Sequence, residues 1–218
     1  MVFLKKPFPR APSAIIGLLV GVMITCTVFA AAGSTIFGSG TERAKTPADT
    51  DNADLTAFAY AILGYIRDGD YVALSQVSHP ELGVVFSPCA TVTLSTNKRF
   101  SPEQIAAFGS DKNTYVWGVQ DGSGEPIEMT PSDYFSGIVF GRNYLDAPVI
   151  GVNRIVKRGN ALENITEIFP DAKFVDFHIP GGERGSEEEL GWNTLRLGFE
   201  EYEDTLRLTI IIHSKWTV

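Results

Sequence analysis

The chain has 218 residues, 44% of them hydrophobic and 20% charged, a balance that can bury the core of one domain but is short for two full ones. The net charge is −8, and Lys5, Lys6 and Arg10 are the only charged side chains before Glu42, which leaves −11 on the rest of the chain. An acidic body of this kind argues against nucleic acid as a partner and against broad electrostatic docking on anionic lipid.

No charged residue lies between Ala11 and Thr41, and the most apolar part runs from Ala14 to Phe37. As a helix, that stretch would reach about 36 Å, enough to cross a hydrocarbon core of about 30 Å. Lys5, Lys6 and Arg10 on its N-terminal flank would stay in the cytoplasm and send the C-terminal side out. The predicted organisation is therefore a cytoplasmic basic tail (1–13), a transmembrane helix (14–37), a linker rich in Gly, Ser, Thr, Pro and Asp (38–52) and an extracytoplasmic α+β domain (53–218). In this reading the membrane is the partner of Ala14–Phe37 and the protein is a single-pass cell-membrane protein. The alternative is a signal peptide cleaved after Ala32, since Ala30-Ala31-Ala32 has small residues at the required offsets, and a secreted domain. The apolar run is longer than a usual signal core, which favours the anchor. Cys26 lies inside that run, so no intrachain disulfide with Cys89 is expected.

Beyond the linker, Leu55, Phe58, Ala59, Ile62, Leu63 and Ile66 follow the spacing of one buried helical face, with Gly69 as the stop. A short helix is predicted over Tyr71 to Val77, ended by His79-Pro80. Strands are predicted over 83–87, 90–94 and 114–119. Ser101-Pro102 and Thr130-Pro131 are cap signals for helices over 102–108 and through about Gly141. A strand over 152–156 and a short helix over 164–169 follow. Three longer strands close the chain, over 173–179, 194–200 and 206–213, each alternating with period two. The last two are spaced as a hairpin around Tyr202 to Asp204. Helices first and a mostly antiparallel sheet after is an α+β arrangement.

Three segments carry a resemblance: His79-Pro80-Glu81-Leu82-Gly83-Val84-Val85-Phe86-Ser87-Pro88, Trp117-Gly118-Val119-Gln120-Asp121-Gly122-Ser123-Gly124-Glu125-Pro126-Ile127, and His213-Ser214-Lys215-Trp216-Thr217. Together they resemble a group of bacterial exported or lipid-anchored domains, over about Leu55 to Val218. Those domains look like members of the NTF2-like, or cystatin-like, fold class. The resemblance implies a cone of N-terminal helices packed on a curved, mostly antiparallel sheet, and implies no established activity. The group often has Asp after the terminal His, where this chain has Ser214, which weakens a pairing of His213 with an adjacent acid.

The candidate chemistry is sparse. His178 and His213 stand on the more polar faces of their strands, and Asp176 shares a face with His178. If both strands faced one cavity, Asp176 would orient an imidazole for acid–base work. His79 precedes Pro80 at a turn. The spacing of the three histidines is not that of a zinc motif. Asp121 to Glu125 mimics part of a calcium loop, but an EF-hand frame puts Val119 at position 1 and Thr130 at position 12, so a tight turn between strands is the simpler reading. Trp117, His79, Asp121, Glu125 and Trp216 are the ligand-binding candidates, and no metal or cofactor is expected. Cys89 reads as a small buried residue, and the nucleophile-elbow and phosphate-loop patterns are missing. The expected function is a non-catalytic ligand- or partner-binding module, with a small hydrolase or isomerase using His178, His213 and Asp176 as the alternative.

Overall fold

The computed structural model describes residues 47–120, 122–182 and 191–216. The chain divides into two units between Arg43 and Ala44, and the described residues belong to the second. The segment 14–37, expected to span a membrane, and Asp121 lie outside the described residues.

Helix α1 (Pro47–Asp68) is followed by α2 (Tyr71–Val77), strands β1 (Val84–Ser87) and β2 (Lys98–Phe100), and the short helix α3 (Pro102–Ala106). A hairpin of β3 (Tyr115–Val119) and β4 (Pro126–Met129) leads into α4 (Pro131–Tyr134), which widens into a π-helical turn at Phe135–Val139. After a 3-10 turn at Tyr144–Asp146 come β5 (Val149–Val152), α5 (Ile165–Ile168), β6 (Lys173–Ile179), β7 (Asn193–Tyr202) and β8 (Thr205–Lys215). Six strands form one sheet in the order β2-β1-β8-β7-β6-β5, and β3-β4 stands apart as a two-stranded ribbon. Neighbours in the large sheet run antiparallel except β1 and β8, which are parallel, with Phe86 opposite Ile211.

The register sorts side chains by face. Val175, Leu197 and Ile211 are aligned across β6, β7 and β8, as are Phe177, Leu195 and His213. This face carries the main core, into which α1 inserts Leu55, Ala59, Ile62, Leu63 and Ile66. Phe58 of α1 meets Phe199 at 5.4 Å, and Tyr60 meets Phe177 edge-on at 5.2 Å. Each large apolar side chain withdrawn from water here contributes about 1.5–3 kcal/mol. The opposite face holds Phe174, Ile210 and Ile212, covered by Val92, Ile165 and Phe169 in a second, smaller cluster. A bulge between Gly198 and Phe199 shifts the β7–β8 register, and Thr209 donates its hydroxyl to the Gly198 carbonyl at 3.2 Å.

The domain is mixed α+β, but the expectation of a transmembrane helix followed by an NTF2-like cone is corrected. Among the described residues no helix is long and apolar enough to cross a membrane. Among the described residues helices are few, and α1 alone exceeds seven residues.

Smaller departures have local causes. The linker expected over 38–52 gives way to helix from Pro47. Residues 90–94 do not form a strand, because the Asn164 side chain takes the place of a strand partner. Its amide donates to the Val92 carbonyl at 2.9 Å and accepts from the Val92 N–H at 2.8 Å. The strand expected over 152–156 lies earlier, since Asn153 adopts a left-handed φ of 50° and ends it. The helix after Thr130 widens after one turn, with the Phe140 N–H bonding to the Phe135 carbonyl five residues back at 2.7 Å.

Candidate functional site

A cavity of about 740 Å³ lies at the C-terminal end of β8. That volume falls within the range of small-molecule sites. Its walls come from well-separated parts of the chain. The turn after β1 supplies Pro88, Cys89 and Ala90, and the β3–β4 ribbon supplies Gln120, Ile127 and Met129. The π-helical turn and the loop after it add Gly137, Ile138 and Arg142, while Trp192 and Asn193 enter at the start of β7. His213, Lys215 and Trp216 complete the wall from the end of β8. The parallel pairing of β1 with β8 sets Ser87 opposite Ile212 and so carries the turn after β1 alongside His213. Three segments far apart in sequence reach this cavity, through Pro88, through Gln120 and Ile127, and through His213, Lys215 and Trp216.

His213 is 7% exposed. Burial pushes its imidazole down to about 4, with Lys215 adding to the effect and a hydrogen bond to the Pro88 backbone opposing it. Proline has no N–H, so the ring donates to the Pro88 carbonyl. The imidazole is therefore neutral at ordinary pH, with one nitrogen committed to the backbone. The Cys89 Sγ lies 3.5 Å from the Thr91 carbonyl, a contact made by a thiol rather than a thiolate.

An aromatic pair belongs to the main core and is not part of the cavity wall. Trp117 and Tyr134 stack with centroids 3.8 Å apart and planes within 4°. Both are fully buried, and the Trp117 indole donates to the Met129 carbonyl at 3.0 Å. Burial raises the Tyr134 hydroxyl far above its ordinary value, with Cys89 adding to the rise.

Two tryptophans of the cavity wall keep their indole N–H groups closed off from solvent. Trp192 is 2% exposed, and its Nε1–H has no hydrogen-bond partner. The Nε1 of Trp216 is likewise buried and unpartnered. Arg142 and Lys215 are exposed at the rim. Glu128 also borders the cavity, and its carboxylate accepts from the Thr114 hydroxyl at 3.4 Å.

The catalytic candidates are not brought together. His178 pairs across β7 with Thr194, and Thr194 with Ser214, so His178 lies on the face opposite to His213. Its Nδ1 is 2.9 Å from the Thr194 hydroxyl, and its ring tilts against Trp192 at 5.9 Å. Burial lowers its pKa, opposed by Asp176 and aided by Lys157. Asp176 does not orient an imidazole. It accepts from Arg196 Nε at 2.5 Å and Nη2 at 3.1 Å, and from the Val156 N–H at 2.9 Å. Arg196 also donates to Glu163 at 2.6 Å, and all three side chains are almost completely buried. Burial disfavours the guanidinium charge, but the two carboxylates more than offset this and its pKa is raised.

Of the ligand-binding candidates, Trp216 is on the cavity wall. Trp117 is core. His79 is not on the cavity wall and caps a turn where its Nδ1 accepts from the N–H groups of Glu81 (3.2 Å) and Leu82 (3.0 Å), its ring 5.1 Å from Tyr202. Glu125 is exposed in the β3–β4 turn, where Gly122 and Gly124 have φ of 87° and 72°. Sequence reasoning missed Trp192, Arg142 and Lys215 as cavity residues. The isolated Trp just before a strand was a visible signal, but nothing in its surroundings tied it to a site. Among the described residues, no group of three His, Cys, Asp or Glu side chains is placed to hold a metal ion. No family model, curated protein or solved structure matches the chain.

Proposed function

We propose that this domain is a non-catalytic ligand-binding module whose site is the cavity at the end of β8. The volume carries this reading, because it is walled by separate segments of the chain and lined by both apolar and polar side chains. Its titratable groups support binding over catalysis. The His213 ring donates to the Pro88 carbonyl and the Cys89 thiol contacts the Thr91 carbonyl, so both are engaged with backbone. A π-helical turn borders the cavity, and such turns are frequent at functional sites. The uncharged run from Ala14 to Phe37 and the resemblance to exported domains support a place at the membrane, on its extracytoplasmic side.

The test is occlusion. A Cβ at Gly137 would meet nothing within 4 Å, so Gly137→Trp projects an indole at the cavity without a backbone clash. The full-length wild type is expected to bind N-phenyl-1-naphthylamine, a neutral apolar fluorophore, and Gly137→Trp to lose most of that signal while keeping the same circular-dichroism melt. Equal binding by the two proteins would place the fluorophore elsewhere and refute this site.

A further inference from the structure

We infer that this cavity selects an apolar molecule bearing a neutral hydrogen-bond donor, a hydroxyl or an amide-type N–H, which it receives on His213 and Asn193. This rests on the cavity being a binding site and adds what it selects. Strand register places both residues. Asn193 pairs with Lys215 and Leu195 with His213, so Asn193 and His213 are diagonal neighbours on one face of β7 and β8. Such neighbours lie about 7–8 Å apart, within reach of one small molecule. Both line the cavity. The His213 ring donates to the Pro88 carbonyl, and a neutral imidazole then keeps one nitrogen that can only accept. Asn193 turns Nδ2 to the Gly191 carbonyl at 3.1 Å, so Oδ1 is presented on the other side of the amide.

These acceptors are open to solvent rather than sealed in protein. Among the described residues no donor meets the second His213 nitrogen or Asn193 Oδ1. Neither atom is among the buried polar atoms that lack a partner, so each keeps contact with solvent. They differ in this from the Trp192 and Trp216 indoles, which are closed off and take no part. His213 is only 7% exposed and belongs to the cavity wall, so the cavity is where its acceptor can be met. The charges nearby separate a neutral donor from an ammonium. Lys215, the next residue on the same face, helps keep the imidazole uncharged, and it would repel a cation placed on that ring. Arg142 and Lys215 also outnumber Glu128 among the charged groups of the wall. A neutral O–H or N–H meets the acceptors without that repulsion. Pro88, Ala90, Ile127, Met129 and Ile138 supply an apolar surface for the body of the molecule.

The experiment compares 2-naphthol with 2-fluoronaphthalene, which share a ring system and differ by an O–H in place of a fluorine of similar size. Both are measured by equilibrium dialysis against the full-length chain at neutral pH. Binding is taken as the difference between each protein and the same protein carrying Gly137→Trp, so that partition into the apolar N-terminal run cancels. The wild type is expected to prefer 2-naphthol by about three- to tenfold, the effect of one neutral hydrogen bond. His213→Phe keeps a ring and removes the acceptor, so it should bind both probes equally. Asn193→Ala, at a half-buried position, should cut the preference by about twofold or more, and it carries the test alone if His213→Phe loses its cooperative circular-dichroism melt. If the wild type binds both probes equally, or if every folded variant keeps the full preference, the donor assignment is wrong while the site stands. If neither probe distinguishes wild type from Gly137→Trp, the site itself is wrong.

Discussion

Arg196 is the most consequential single polar residue of the sheet. Its guanidinium is 1% exposed between Asp176 and Glu163, and it lies 5.4 Å from the centre of the Phe174 ring. Breaking a buried pair leaves an uncompensated charge, whereas replacing the whole set by apolar side chains removes that penalty. Arg196→Met alone should therefore cost about 3–5 kcal/mol in urea unfolding. Adding Asp176→Leu and Glu163→Leu should restore most of the loss. A single variant within about 1 kcal/mol of wild type would mean that water reaches these carboxylates. His213 sets a pH dependence of its own. Its folded value of about 4 lies below the ordinary imidazole value of about 6.5. Between these values the unfolded chain takes up the proton and the native fold does not, so stability falls as pH drops from about 6.5 to 4. The full difference is on the order of 3 kcal/mol. It should appear as the gap between wild type and His213→Gln when unfolding midpoints at pH 7.5 and 4.5 are compared. Parallel pH profiles for the two proteins would show that His213 is solvated.

At the scale of elements, β1 depends on how the chain enters it. Gly83 has a φ of 66°, and a Cβ there would lie 2.3 Å from the Phe100 carbonyl oxygen on β2. Both the conformation and the close approach demand glycine. Gly83→Ala should therefore cost more than the roughly 1–2 kcal/mol of a left-handed conformation alone, because β2 must also move. It should loosen the turn after β1 that walls the cavity. Hydrogen exchange of the Val84–Ser87 amides, faster in the variant than in the wild type, is the readout; unchanged exchange would show that the hairpin absorbs the extra carbon. The local patterns that were legible share one property, that a single neighbourhood of sequence decides them. The helical stripe of α1 marks its buried face, and the alternation of β6, β7 and β8 marks the strands, although both faces of these strands are buried. Ser101 forms a complete capping box with Gln104, and the Thr130 hydroxyl accepts from the Asp133 N–H at 3.2 Å. Where a distant group intervened, local reading failed. Asn164 holds Val92 from 72 positions away and stands in for a strand partner. The ribbon strand β4 and the edge strand β2 are too short to show a period.

For the domain as a whole, composition and alternation by themselves determined a mixed α+β class, an acidic surface and the identity of the three longest strands. These depend on periodic burial, which repeats within a few residues. The order of the sheet did not follow from any local pattern. The parallel placement of β1 beside β8 joins residues 85–87 to 210–212, and this pairing brings Pro88 and Cys89 to the same place as His213 and Trp216. Alternation showed that Asp176 and His178 share a face, but it could not show that Arg196 on the next strand already occupies the carboxylate. Nor could it show that His213 faces the other way, since the side a strand presents is fixed by its register with a neighbour. The sequence alone thus determined which residues alternate, but not that the polar faces carrying Asp176, His178 and Arg196 are also buried. Tertiary structure decided which of them meet, because a cavity walled by segments between residues 88 and 216 exists only after long-range pairing has closed it.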